Sequence, residues 1–234
     1  SIVFIVCAVH SGFSAGLTDI VKGAQGTMGG SGALTNDEII AGLKEALAVG
    51  TEKAVALVSQ TDGYNRNLDI KIPLPESVEK VEKYLRAAGY GEKVDAFELS
   101  MNRAAERAAP EAKSIFRDAI GQMSFEDASK ILNGRDNEAT LYFEDKTSGR
   151  LQELFKPIVK DAMGEVGVTR SFQDLNAKAE SMPFGKSLSF DLDQYVTDGA
   201  LNGLFKMLAE QERQIRTQPA ARATDLLQNV FAGQ

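Results

Sequence analysis

The chain has 234 residues, 43% hydrophobic and 25% charged, a balance that supports one sizeable buried core or two small ones and excludes disorder over most of its length. A net charge of −7 with an isoelectric point near 4.9 excludes retention on nucleic acid or anionic lipid by phosphate neutralisation, which needs a basic surface. No nucleic-acid partner is expected.

Residues 1–15 carry no Asp, Glu, Lys or Arg, and residues 2–9 form an unbroken apolar run. That run is too short to span a bilayer, which takes about 20 residues, and it fits the core of a signal peptide. Ser11, Gly12, Ser14 and Ala15 supply the small residues at which a signal peptidase cuts, placing the mature start near Ala15 or Gly16. The reading predicts an exported protein of the periplasm or cell envelope, with residues 1–15 as an N-terminally incomplete leader and no stable membrane insertion of the mature chain. Cys7 does not suit a lipoprotein site, because Val6 precedes it where a small residue is required. The single Cys (Cys7) and the single His (His10) both lie in this leader, and Trp is absent. A processed chain therefore lacks the residues for a Ser-His-Asp triad, a Cys-His pair, a thiolate or imidazole zinc site, or a disulfide.

Residues 16–34 read as a Gly-rich tether, with five glycines between positions 23 and 32. A phosphate-binding loop is not met there, since G-x-x-x-x-G-K-[ST] is missing and no strand precedes it. From 35 to 234 the pattern is that of one helical domain. Thr35 and Glu38 form a capping box ahead of Ile39, Ile40, Leu43, Ala46 and Leu47, and this helix continues through Val55 and Val58 with a bend expected at Gly50. Pro75 and Glu76 open a second helix that stops at Gly89. A third runs from about Glu92 through Val94, Phe97, Met101 and Ala105, and Pro110 restarts the chain into Ile115, Phe116 and Ile120. Ser124 caps a short helix ending at Asn133 and Gly134. Separate helices are expected through Ala139 and Phe143 and through Leu151, Phe155 and Val159. Further helices are expected over 169–181, 193–216 and 219–231.

Two stretches alternate instead. Leu68, Ile70 and Ile72 alternate with Asp69 and Lys71, and Leu188, Phe190 and Leu192 alternate with Ser189 and Asp191. The fold class is thus all-α, a compact multi-helix bundle with at most a minor two-stranded extended pairing of about residues 67–73 with 187–192. Asp191 alternatively serves as N-cap of the following helix, with Gln194 as its box partner.

Residues 35–47 (TNDEIIAGLKEAL), 70–76 (IKIPLPE), 101–116 (MNRAAERAAPEAKSIF), 195–205 (YVTDGALNGLF) and 215–227 (IRTQPAARATDLL) resemble, in order, the bacterial domain-of-unknown-function family 4197. Asn202 stands where that pattern has Asp, and Ala223 where it has Thr. The resemblance implies a helical, exported bacterial protein and brings no activity, substrate or catalytic residue.

Candidate binding residues come from chemistry. Asn102, Arg103 and Glu106 lie on an Ala-rich helix, where they suit an interhelical polar network, a surface ion pair or a ligand pocket. Arg216 and Arg222 flank Pro219, where guanidinium groups hold a carboxylate or phosphate, or satisfy helix C-terminal carbonyls. Asp136, Glu138 and Thr140 suggest a calcium loop, but Leu141 and Thr147 stand where Gly and Glu are required, and Asp191 and Asp193 fail likewise. Phe143, Phe155, Phe172, Phe184, Phe205 and Tyr142 read as core, with the turn at Phe184 and Gly185 partly exposed. No metal, cofactor or catalytic residue is assigned. The reading favours a non-enzymatic envelope protein that binds a protein partner or forms a homo-oligomer. The alternatives are a carrier of an apolar small molecule or lipid in an interhelical cavity, and a hydrolase using paired carboxylates.

Overall fold

The structure is a computed structural model that describes residues 35–165, 168–181 and 191–218. The leader, the tether, residues 187–190, the turn at Phe184 and Gly185, the helix expected over 219–231 and Arg222 lie outside the described residues.

Thr35 closes its capping box with Glu38, each backbone N–H meeting the other's side chain, and starts α1 (Asn36–Val58). The helix runs unbroken through Gly50, as one long helix. Gly50 faces a neighbouring helix, and a Cβ there would touch Ile215 at 3.4 Å. After an irregular connection come α2 (Glu76–Leu85), a reversal at Gly89 with φ of 86°, and α3 (Gly91–Ala108). A left-handed φ suits glycine, which explains why the chain turns there. A short turn carrying Pro110 leads into α4 (Ala112–Gln122). Ser124 forms a second capping box with Asp127 and opens α5 (Phe125–Asn133).

The two helices expected around Phe143 and Phe155 are one, α6 (Glu138–Glu165). Phe143, Thr147, Leu151, Phe155 and Val159 recur every fourth residue and are all buried, so the apolar stripe never breaks. Thr147 disguised it by being polar, yet its hydroxyl donates to Phe143 O at 2.5 Å and is satisfied within the helix. Then follow α7 (Val168–Glu180) and α8 (Leu192–Thr217). Asp191 is the N-cap of α8, accepting from Gln194 N at 2.9 Å, while the Gln194 side chain, expected as its box partner, meets Asp198 at 2.8 Å.

The α8 helix occupies the middle, packed by α1, α3 and α6. Val196, Ala200, Leu201, Leu204, Phe205 and Leu208 are buried on it. Phe116 meets Phe143 and Phe205 edge-on, at 5.1 and 6.2 Å between ring centroids. Among the described residues there is no strand. Residues 67–73 hold Ile70 and Ile72 inward at 6% and 2% exposure, but Leu68, expected on the same face, is 90% exposed. The cause is a turn: Ile70 N and Lys71 N both donate to Asn67 O, which takes Leu68 out of the alternation.

Candidate functional site

The connection between α1 and α2 is fixed by a chain of local constraints. Asp62 sits at φ of 69°. At Gly63 a Cβ would lie 2.5 Å from Leu57 O and 2.8 Å from Val58 O, so only glycine fits. Tyr64 is wholly buried and its hydroxyl donates to Ala200 O at 2.6 Å. Burial, and then the neighbouring Glu106 carboxylate, push the Tyr64 phenol well above its ordinary range. Its ring lies against Gly203, where a Cβ would come within 2.5 Å of Tyr64 Cε1, while Ile72 crosses Gly199 with a Cβ clearance of 3.0 Å. The two mid-helix glycines therefore admit the crossing connection onto α8.

The three residues expected on the third helix are brought together, and they face this connection. Asn102, fully buried, accepts from Ile72 N at 2.8 Å and donates to Ile72 O and Glu98 O, both at 2.9 Å. It pairs with the extended segment as a neighbouring strand would. Glu106 accepts from Tyr64 N at 3.1 Å and Asn65 N at 3.4 Å. Its other oxygen takes Arg103 Nη1 at 2.6 Å, and Arg103 Nη2 reaches Asp62 Oδ1 at 2.7 Å. The Asn65 side-chain amide, with Arg103 and Arg66 beside it, holds the Asp62 carboxyl below the usual carboxylate range.

Arg216 belongs elsewhere, about 20 Å along α8 from Gly203 at 1.5 Å per residue. Glu212, 7% exposed, accepts from Ala139 N, Thr140 N and Thr140 Oγ1, each at 2.9 Å, and so caps the N-terminus of α6 from outside. Arg216 donates to Glu212 at 2.9 Å and to Ile131 O at 2.8 Å, the latter a carbonyl in the last turn of α5. Arg216 thus meets both a carboxylate of its own chain and a helix C-terminal carbonyl.

Two open grooves flank Leu68. One, of about 310 Å³, runs between residues 69–73 and the face of α8 bearing Tyr195, Asp198, Asn202 and Lys206. The other, of about 490 Å³, lies between Asn67, Asp69, Asp136 and the α8 residues Met207, Ala209 and Arg213. Lys206 stands between them, donating to Asp69 O at 2.9 Å. The Tyr195 hydroxyl donates to Pro73 O at 3.2 Å. Asp62, Tyr64 and Glu212 were not singled out from sequence, and Leu68 was read there only as one apolar position of an alternating stretch. The available signals were the Asp62-Gly63 turn, Asn67 as a turn former, and Gly199 with Gly203 one helical turn apart in a helix interior, where glycine needs a packing reason.

Chemically, these acids act as fixed acceptors. Asp62 and Glu106 are bridged by a guanidinium, and Glu212 is filled by five donors. An apolar pocket between α1, α5, α6 and α8, lined by Leu43, Leu47, Ile131 and Ile215, holds about 20 Å³, room for one water. Among the described residues no cluster of three or more acidic, His or Cys side chains could hold a metal, and no helix is long and apolar enough to cross a membrane.

No curated protein and no solved structure matches the chain. The family model described as "Protein of unknown function (DUF4197)" matches residues 33–232, so the all-helical chain that folds around α8 in this way belongs to that family.

Proposed function

We propose that this protein is a non-enzymatic recognition protein of the bacterial cell envelope, exported behind residues 1–15, which binds a protein partner through the turn that carries Leu68. The observation that carries this reading is Leu68 itself, 90% exposed on a connection tied down at Tyr64, Asn65, Asp69 and Ile72. A lone exposed leucine on a loose loop means little. One presented on a turn already ordered loses little conformational entropy when a partner covers it, and so retains most of its burial energy as affinity. The polar groups around the connection favour a scaffold role over chemistry, since Asn102 and Glu106 hold backbone and Arg103 ties Glu106 to Asp62. A pocket of about 20 Å³ does not accommodate an acyl chain, which weighs against the carrier reading for that interhelical space.

The test uses protein isolated from its native cell, with its N-terminus sequenced, and compares it with Leu68→Asp. Support is a mature start near Ala15 or Gly16, plus a partner retained by the parent and lost by a variant of unchanged melting temperature. Equal retention by both proteins, or recovery of residues 1–15 on the native protein, would overturn the reading.

A further inference from the structure

Resting on that recognition reading, we infer that the partner is a second copy of this chain, docked about a two-fold axis so that each Leu68 enters the other copy's groove beside Asp136. The geometry points there because knob and hole share one face. Leu68 lies between Asn67 and Asp69, and both of these neighbours line the groove of about 490 Å³. Its own copy leaves the side chain outside, at 90% exposure. An isologous contact requires one patch that carries both complementary features, so that residue i meets j and j meets i. A projecting leucine at the rim of a groove with Met207 and Ala209 in its lining meets that requirement. A knob alone would need a differently shaped partner.

The charges are complementary in the same sense. Asp136 is an exposed carboxylate in the groove lining and forms no ion pair among the described residues. The other charged groups there are matched internally: Asp69 with Lys206 at 3.5 Å and Glu210 with Arg213 at 2.8 Å. Arg66, two residues before the knob, is 82% exposed and held only by an i,i+4 pair to Asp62 at 3.0 Å. Asp62 keeps Arg103 and Asn65 when Arg66 swings away. Docking therefore brings Arg66 of each copy to Asp136 of the other without leaving a carboxylate bare. One knob and one groove per copy make a contact below the usual 1,200–2,000 Å² of stable complexes, so the dimer is weak, dissociating in roughly the micromolar range.

Sedimentation of the full chain from about 1 to 300 µM reads this directly. The parent should show a monomer–dimer equilibrium. Leu68→Asp should weaken it at least about thirtyfold, as loss of a central anchor does. Arg66→Asp and Asp136→Arg should each weaken it, and the two together should restore it, with melting temperatures unchanged because all three side chains are exposed. A parent that stays monomeric throughout, a dimer indifferent to Leu68→Asp, or a charge exchange that fails to restore association would overturn the inference. A photocrosslinking residue at position 68 in native cells separates this proposal from the recognition reading. An adduct of two copies supports both, an adduct with a different protein overturns only the second-copy partner, and no adduct from a monomeric chain overturns both.

Discussion

Replacing Glu106 with alanine tests whether the polar network on α3 serves a helix contact or the connection after α1. Glu106 is 5% exposed and takes three hydrogen bonds, from Tyr64 N at 3.1 Å, Asn65 N at 3.4 Å and Arg103 Nη1 at 2.6 Å. Truncation leaves the Tyr64 N–H inside the fold without its acceptor, at a cost of about 1–3 kcal/mol. The charge contribution is smaller than for an enclosed ion pair. The Arg103 side chain is 31% exposed and keeps Asp62 at 2.7 Å, so its loss of Glu106 costs about 0–1 kcal/mol. The expected total is about 1–4 kcal/mol, centred below the roughly 3–5 kcal/mol of a fully buried pair. The second site supplies the contrast: Arg216 and Glu212 side chains are 9% and 6% exposed, and Glu212→Ala should cost about 3–5 kcal/mol. Urea midpoints measure both, and in a domain of this size the Glu106 change should lower the melting temperature by roughly 2–16 °C. The double variant Arg103→Met with Glu106→Leu should not recover the parent's stability, because the Tyr64 and Asn65 N–H groups stay unpaired. Full recovery in the double variant, or a Glu106→Ala protein within about 0.5 kcal/mol of the parent, would refute the backbone-capping argument.

Gly203→Ala places a Cβ 2.5 Å from Tyr64 Cε1 and 3.1 Å from Ile70 Cβ. Overpacking of about 1–3 kcal/mol should outweigh the roughly 1 kcal/mol that alanine gains in helix propensity, so denaturation should show a net loss. A more stable variant would mean that the connection moves off α8 freely. For pH, the carboxyls of Asp62, Asp127 and Asp191 lie below their ordinary values, lowered first by the Asn65 amide, the Ser124 N–H and the Gln194 N–H respectively. A folded-state pKa below the unfolded one stabilises above the unfolded value of about 3.9 and is lost as pH falls through the folded value. The melting temperature should therefore drop below about pH 4, whereas a transition centred near pH 6 would contradict this assignment, since His10 is the sole histidine.

The all-α class, the capping boxes at Thr35 and Ser124, the reversal at Gly89 and the N-cap at Asp191 were determined by the sequence itself, because each depends on residues within one or two helical turns. The placement of Asn102, Arg103 and Glu106 on one helix was legible for the same reason. What they bind was not. Asn102 meets a segment thirty residues away and Glu106 one about forty residues away, and no local pattern encodes which loop crosses which helix. Thr147 shows the limit at closer range: polarity hid a buried stripe that only packing on both sides of α6 reveals. The exit of Leu68 from its alternation came from two N–H groups converging on Asn67 O, a turn that Tyr64, Ile70 and Ile72 impose by anchoring against Gly199 and Gly203. Tertiary packing alone decides that outcome, because burying the two isoleucines over the glycines leaves the intervening turn no inward room for a third apolar side chain.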